Sequence, residues 1–186
     1  GRGVFDFYEA RDFPFPGEPH GIYEVGAAHD WVHVLADYDT TPAGEIAVFS
    51  FIAASLDDPR GVTQLLFTLA LFQNASIKRV FGRLVPNHRG DVLADPEVVV
   101  EVVEAGVRGS RCTVDVLGGI DHFALADEPL EDLRRRFGIR PREATVARVR
   151  QQAVDEIADA RLRTEDVGAL ADRRAEIAHQ GRAPFE

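Results

Sequence analysis

Four side chains able to bind a metal ion lie within one short segment of the chain: His29, Asp30, His33 and Glu45. In a helix, residues four apart share a face, so His29 and His33 can bind one ion together. Asp30 flanks that face, where it can reach the same ion or hold a ligating imidazole from outside. Glu45 follows a break at 39–41 and lies about one turn into the next predicted helix. If the two helices pack antiparallel, Glu45 lies across from both histidines, and the segment therefore predicts a metal site.

The ligand types narrow the choice of metal. Two imidazoles and two carboxylates suit Zn²⁺, and Fe²⁺ or Mn²⁺ accept the same ligand set. The two carboxylates also neutralise a dication, which lowers the cost of burying the site. Four direct ligands would make a closed, structural site, whereas three would leave a position for water or substrate. The spacing leaves both arrangements open, and two surface histidines at helical spacing are the competing interpretation.

Five helices must position these residues. Apolar residues recur at helical spacing in five ranges, which are 22–38, 42–56, 59–74, 96–107 and 128–138. Thr41-Pro42 and Asp95-Pro96 each place a capping residue before a proline at the first helical position. Strand patterns are scarce throughout. The predicted fold class is therefore all-α, and the short breaks at 39–41 and 57–58 favour antiparallel neighbours.

The two ends of the chain have a different character. Residues 1–21 are rich in proline, glycine and aromatic residues, which predicts an extended arm whose aromatics pack on the core or on a partner. Residues 76–94 should be irregular. The polar sequence after Pro141 predicts two further helices, at 143–161 and 165–179. We therefore divide the chain into a metal-binding domain at 1–140 and a helical tail at 141–186, and we expect a homodimer.

Composition excludes some classes of protein. The net charge is −10 and the arginines are scattered among acidic residues, which argues against binding to nucleic acid. The most apolar stretch, 62–72, is shorter than the roughly 18–20 residues that a membrane span needs. Cys112 is the only cysteine, so no intrachain disulfide can form. We expect a cytoplasmic protein, with peripheral contact at the inner face of the membrane as a further expectation.

The segment around Glu45 also resembles a known family. His-Asp-x-x-His, eleven residues and then Glu is similar to the metal-binding signature of the coenzyme Q biosynthesis protein four family. The continuation Pro42-Ala43-Gly44-Glu45-Ile46 is similar to that family's helix start, and residues 105–109, 120–123 and 129–139 look like its C-terminal end. The resemblance covers about 1–140. The single lysine in an arginine-rich chain points to a GC-rich bacterial genome, and so to a divergent bacterial member.

The resemblance implies an all-α fold around an apolar cavity, a metal at its mouth and a role in quinone biosynthesis. Members have been interpreted as catalysts that replace a ring carboxylate by hydroxyl and as scaffolds for the other biosynthetic enzymes. The first role implies a metal-dependent (oxidative) decarboxylase of a prenylated aromatic acid, with Glu45 or Asp30 as general base if it is not bound to the metal. The second implies a lipid-binding scaffold with a structural metal. A hydrolase ranks last, because Asp30 stands where zinc proteases place glutamate.

Two features bear on the substrate. Family members commonly carry an arginine shortly before the His-Asp pair and a lysine after the glutamate, whereas this chain has no cation at 24–28 and has Val48-Phe49 after Glu45. The substrate can therefore differ from the usual ubiquinone intermediates. The apolar stripes of helices 42–56 and 59–74 predict a cavity for a prenyl tail or another long-chain lipid, with plain core packing as the alternative.

Overall fold

The computed structural model describes residues 1–56, 59–73, 79–80, 83–84 and 94–142. These ranges contain six helices and two short strands: α1 (Arg2–Glu9), α2 (Glu24–Ala36), α3 (Pro42–Ser55), α4 (Pro59–Gln73), β1 (Arg79–Val80), β2 (Arg83–Leu84), α5 (Pro96–Gly109) and α6 (Leu130–Arg136). The strands form one antiparallel pair of two residues each. The all-α fold class is confirmed, and the bounds of α2 to α6 agree with the predicted ranges to within about two residues.

The helix ends follow from the capping residues. The Thr41 hydroxyl accepts a hydrogen bond from the Gly44 N–H at 3.1 Å, and Pro42 follows at the first helical position. Asp95 caps α5 in the same way, with its carboxylate accepting from the Glu97 N–H at 2.9 Å. Helix α2 ends at Asp37, whose φ of 61° is left-handed and turns the chain toward α3.

The prediction of an extended N-terminal arm was wrong for its first half. Residues 2–9 form α1, because this stretch contains no proline and the first proline of the chain stands at position 14. Helix α1 rests on α2, where the absence of a side chain at Gly3 lets its backbone lie close to Val34. Residues 10–21 continue as turns without helix. Phe7 and Tyr8 of the N-terminal segment are buried, as expected, whereas Phe5 is 44% exposed.

The predicted tail helices at 143–161 and 165–179 lie outside the described residues, and so does most of 76–94. The segment 76–94 was predicted to be irregular, but its residues 79–80 and 83–84 form the antiparallel pair of β1 and β2. The predicted boundary at 140–141 and the homodimer remain predictions. Among the described helices, none is both long enough and apolar enough to cross a membrane.

Helix α3 is the centre of the core. It packs most extensively against α5 and α4, and Val48, Phe51 and Ile52 are buried completely. Glycines on both neighbours allow the helices to approach. A side chain on Gly61 would touch the Cα atom of Ala53, and a side chain on Gly109 would overlap the carbonyl of Phe51. The apolar stripe of α3 is therefore largely core at these contacts.

A buried polar group joins α2, α5 and the chain after α6. The Arg108 guanidinium donates to the carbonyls of Ala36 at 2.7 Å and Arg140 at 3.0 Å, which satisfies the end of α2. The Tyr38 hydroxyl donates to Glu104 at 2.6 Å. Burial raises the pKa of the Glu104 carboxyl above its ordinary value. The apolar pattern of α5 gave no sign that Glu104 and Arg108 are among its most buried residues.

We expect Gly109→Ala to destabilise the protein by about 1–3 kcal/mol, because the new methyl group would lie 2.2 Å from the Phe51 carbonyl oxygen. Gly106→Ala in the same helix is the matched control. There the nearest atom is the Ser50 hydroxyl at 3.3 Å, and alanine improves helix propensity. Urea unfolding of both variants measures the difference. Equal free energies of unfolding would contradict the close α3–α5 contact.

Candidate metal centre

The turn between α2 and α3 brings the predicted ligands together. Helix α2 presents His29 and His33 one turn apart, and α3 returns with Glu45 in its first turn. The Asp39 carboxylate accepts hydrogen bonds from the Thr41 N–H at 2.9 Å and the Thr41 hydroxyl at 2.6 Å. Gly44 has no side chain, and this allows Asp39 to lie directly against the start of α3. The turn therefore fixes the position of Glu45 relative to both imidazoles.

The distances place one carboxylate between two imidazoles. Glu45 Oε2 lies 3.6 Å from His29 Nε2, and Glu45 Oε1 lies 3.5 Å from His33 Nε2. One ligand atom from each of the three residues lies within 4.8 Å of the other two. Ligand atoms about 2.1 Å from one ion at tetrahedral angles are about 3.4 Å apart. The two nitrogen–oxygen spacings fit that geometry, and binding would draw the two imidazoles closer together.

The hydrogen bonding of the histidines also fits an ion. His33 Nδ1 lies 3.2 Å from the Tyr38 carbonyl, which can only accept, so this nitrogen carries the proton and Nε2 has the free lone pair. His29 Nε2 and His33 Nε2 are both buried without a hydrogen-bond partner. Such atoms are costly unless something binds them. A metal ion among His29, His33 and Glu45 would satisfy both nitrogens.

The charge of Glu45 acts on His33. Burial lowers the pKa of the His33 imidazole, but the Glu45 carboxylate, the Tyr38 carbonyl and Asp30 together raise it by more, so the pKa lies above its ordinary value. A proton and a metal ion therefore compete for the same nitrogen, as is general for imidazole ligands. The 3.5 Å separation from Glu45 is longer than a good charged hydrogen bond, which leaves the space for an ion.

Asp30, the fourth predicted ligand, does not join this group. Its Oδ2 accepts a hydrogen bond from the hydroxyl of Tyr8 in α1, and its Oδ1 lies 3.4 Å from His29 Nδ1. Of the two roles predicted for Asp30, this geometry favours the outer one, beside a ligating imidazole. Tyr8 was not predicted as a site residue, because no spacing rule links it to a segment more than twenty residues away.

The surroundings of the group are aromatic. The side chain of His33 is fully buried, while those of His29 and Glu45 are each 18% exposed, so the group opens to solvent on their side. Phe49 stacks on His29 with ring centres 4.8 Å apart, and Phe7 lies 5.6 Å from the His33 ring. The group is thus partly shielded from water and has an apolar wall at its open side.

Two further histidines lie in the described part of the chain, and neither belongs to the group. His122 is buried, and its Nε2 lies 2.9 Å from the Val116 carbonyl, so it is a packed core histidine. His20 is exposed. Cys112 is partly buried, and burial raises the pKa of its thiol to about 11, so it is not a reactive thiolate.

Comparison with known proteins identifies no relative: no family model, no curated protein and no solved structure matches the chain. The resemblance to the coenzyme Q biosynthesis protein four family therefore remains a prediction. The metal group stands on its own geometry.

We expect the purified protein to bind about one divalent ion per chain, because the three ligand atoms form one group. His33→Ala should weaken binding by more than the roughly 100-fold that a partner outside the ligand shell can cost. Elemental analysis after dialysis against Zn²⁺, with a competing chelator, measures both quantities. His20→Asn is the control, since His20 is exposed and asparagine tolerates its φ of 68°. Unchanged binding by His33→Ala would refute the ligand assignment.

Gly44→Ala tests the turn that positions Glu45. The new methyl group would lie 2.2 Å from the Asp39 carboxylate and 2.3 Å from its carbonyl oxygen, so the turn has to move. We expect weaker metal binding together with a loss of about 1–3 kcal/mol of stability. Gly106→Ala is again the control, because it lies on α5 and should leave metal affinity unchanged. Wild-type affinity in Gly44→Ala would show that the turn does not set the site.

Proposed function

We propose that this chain is a metal-dependent enzyme of quinone biosynthesis that acts on a prenylated aromatic acid. The observation that carries the metal-dependent part of the proposal is the group of three candidate ligands, His29, His33 and Glu45, with Asp30 held elsewhere by Tyr8. The quinone substrate is proposed from the resemblance of the His29–Glu45 segment to the coenzyme Q biosynthesis protein four family. Catalytic metal sites keep a position for substrate or water, whereas structural zinc sites are filled by four protein ligands. The three-ligand group therefore supports an enzyme over a scaffold.

Fe²⁺ is the metal that we propose for the oxidative reaction, and Zn²⁺, which has no redox chemistry, is the metal that we propose for a structural role. Both ions accept two imidazoles and one carboxylate as ligands. Two histidines and one carboxylate form the facial triad of non-haem Fe²⁺ oxygenases. When bound, such an ion supplies a Lewis acid at the substrate carboxylate.

The proposed reaction replaces the ring carboxylate by hydroxyl. The bond between ring and carboxyl carbon breaks, a ring carbon–oxygen bond forms, and CO₂ leaves. The balance requires dioxygen and a two-electron donor: Ar–CO₂H + O₂ + 2e⁻ + 2H⁺ gives Ar–OH + CO₂ + H₂O. In this proposal His29, His33 and Glu45 hold the ion, and Phe49 provides a flat apolar surface beside it that suits an aromatic ring.

Exposed apolar surface supports a lipid substrate. Five large apolar side chains of α4 and α5 are between 44% and 64% exposed: Val62, Leu66, Phe67, Val99 and Val103. Large patches of exposed apolar residues are uncommon on monomeric proteins, and they often mark a binding surface. By comparison, the contact between α3 and α4 contains core packing, because Ile46 packs with Phe72 and Val98 there. We therefore propose that a prenyl tail lies on the exposed sides of α4 and α5.

The same apolar surface supports a second candidate function, a lipid-binding scaffold for quinone-biosynthesis enzymes. In that case the protein binds prenylated aromatic acids without converting them. Both functions predict lipid binding, and only the first predicts turnover that depends on the metal ligands.

The test is a conversion assay with protein loaded separately with Zn²⁺, Fe²⁺ or Mn²⁺. A prenylated aromatic carboxylic acid, a reductant and ¹⁸O₂ are added, and mass spectrometry follows the product. We expect release of CO₂ and a product hydroxyl that carries ¹⁸O with at least one metal, and none with His33→Ala. Binding without conversion under every metal would support the scaffold. Neither binding nor conversion would refute both functions.

A further inference from the structure

The N-terminal segment reaches the metal group through one tyrosine. Tyr8 is 1% exposed, and its hydroxyl donates to Asp30 Oδ2. The other oxygen of Asp30 faces His29 Nδ1 at 3.4 Å. Tyr8, Asp30 and His29 therefore form a continuous chain of polar contacts from α1 to an imidazole nitrogen of the group.

The imidazole rings of His29 and His33 are held by the same pattern of contacts. The Nδ1 atom of each ring faces an acceptor, the Asp30 carboxylate for His29 and the Tyr38 carbonyl for His33. The Nε2 atom of each ring is buried, has no hydrogen-bond partner and faces Glu45. An acceptor at Nδ1 keeps the proton on that nitrogen and directs the Nε2 lone pair toward the ion. The carboxylate of Asp30 therefore does for His29 what a backbone carbonyl does for His33.

The ring of Tyr8 is itself fixed. It stacks on Phe15 with ring centres 5.2 Å apart and meets Phe13 edge-on at 6.1 Å. The neighbouring Phe7 lies against the ring of His33, and the guanidinium carbon of Arg11 lies 3.8 Å from the centre of the Phe7 ring. These packed aromatics hold α1 and the following turns against His33 and Asp30.

We infer that Tyr8 is a positioning residue of the metal centre: it holds Asp30 outside the ligand shell, where the carboxylate orients His29. The inference rests on the proposed metal function. Asp30 cannot turn both oxygens toward an ion while it keeps the hydrogen bond to Tyr8 and faces His29 Nδ1. The Tyr8 hydroxyl thereby leaves the ion with three protein ligands and a free coordination position. The inference gives helix α1 a role at the metal centre in addition to its packing against α2.

The test compares Tyr8→Phe with Ser50→Ala in the full chain, using Co²⁺ as the probe. Both variants lose one buried hydroxyl, which donates to Asp30 in one case and to the Val102 carbonyl of α5 in the other. The Ser50 hydroxyl is therefore matched in burial but donates to the core and not to the metal group. We expect Tyr8→Phe to weaken Co²⁺ binding by roughly 10–100-fold and Ser50→Ala to leave it near the wild-type value. Competition with a chelator measures the affinities, and the visible spectrum of Co²⁺ reports the coordination number.

Asp30→Asn supplies the second arm and remains informative if Tyr8→Phe does not fold. Under the inference, Asp30→Asn weakens binding by a similar factor but leaves the coordination number of Co²⁺ unchanged. The double variant should lose less than the product of the two single losses, because both act through His29. If Asp30 is a direct ligand, the Co²⁺ spectrum of Asp30→Asn changes and the inference is overturned.

The outcomes separate this inference from the proposed function. If the wild-type protein binds no Co²⁺, the metal function fails and the inference fails with it. If the wild type binds Co²⁺ and Tyr8→Phe binds it as tightly as Ser50→Ala does, only the inference fails. A larger loss in Tyr8→Phe than in Ser50→Ala, with an unchanged coordination number in Asp30→Asn, supports it.

Discussion

The candidate metal centre is built around two buried nitrogen atoms, His29 Nε2 and His33 Nε2, that face one carboxylate and have no hydrogen-bond partner. Leaving a polar atom buried and unbound costs about 1–3 kcal/mol, a large part of the stability of a small domain. Three neighbouring elements hold the two nitrogen atoms in this arrangement and do not offer them a hydrogen-bond partner. Helix α2 supplies the imidazoles, the capped turn at Thr41 sets Glu45, and α1 covers the group with Phe7 and Tyr8. A feature that is costly and well supported is expected at a binding site.

Helix α3 connects this site to the rest of the core. Its first turn carries Glu45, while its middle is buried between α4 and α5. Because Gly61 and Gly109 let both neighbours approach the α3 backbone, the helix has little freedom to slide or rotate. The position of Glu45 is therefore set at one end by the turn and along its length by the core. A rigid element is a better support for a ligand than a loop, since small displacements weaken binding.

Much of this could be predicted from the sequence, because helix periodicity, proline at the first helical position and the His29–His33 spacing are local signals. The same signals predicted the bounds of α2 to α6 and the meeting of His29, His33 and Glu45. These signals could not decide whether Asp30 binds the metal directly or orients His29 from outside the ligand shell, because Asp30 is adjacent to His29 in either case. They also missed Tyr8 and the Glu104–Arg108 pair, whose partners lie on distant segments. Proline content suggested an extended arm, but residues 2–9 contain none and form a helix.

The two buried tyrosines, Tyr38 and Tyr8, lie in different surroundings: one joins helices in the core and the other lies beside the candidate metal centre. Tyr38 and Tyr8 both donate to a buried carboxylate, and burial raises the pKa of both phenols. The carboxylate beside Tyr38 also has Arg108 at 3.4 Å, so its charge is balanced within the protein and the group joins helices. Among the described residues, the carboxylate beside Tyr8 has no such cation next to it, only His29 at 3.4 Å. Buried carboxylates without a balancing cation are expensive. A divalent ion on the far side of His29 would provide the missing positive charge, and this ties the placement of Asp30 to the metal even though the carboxylate does not belong to the ligand group.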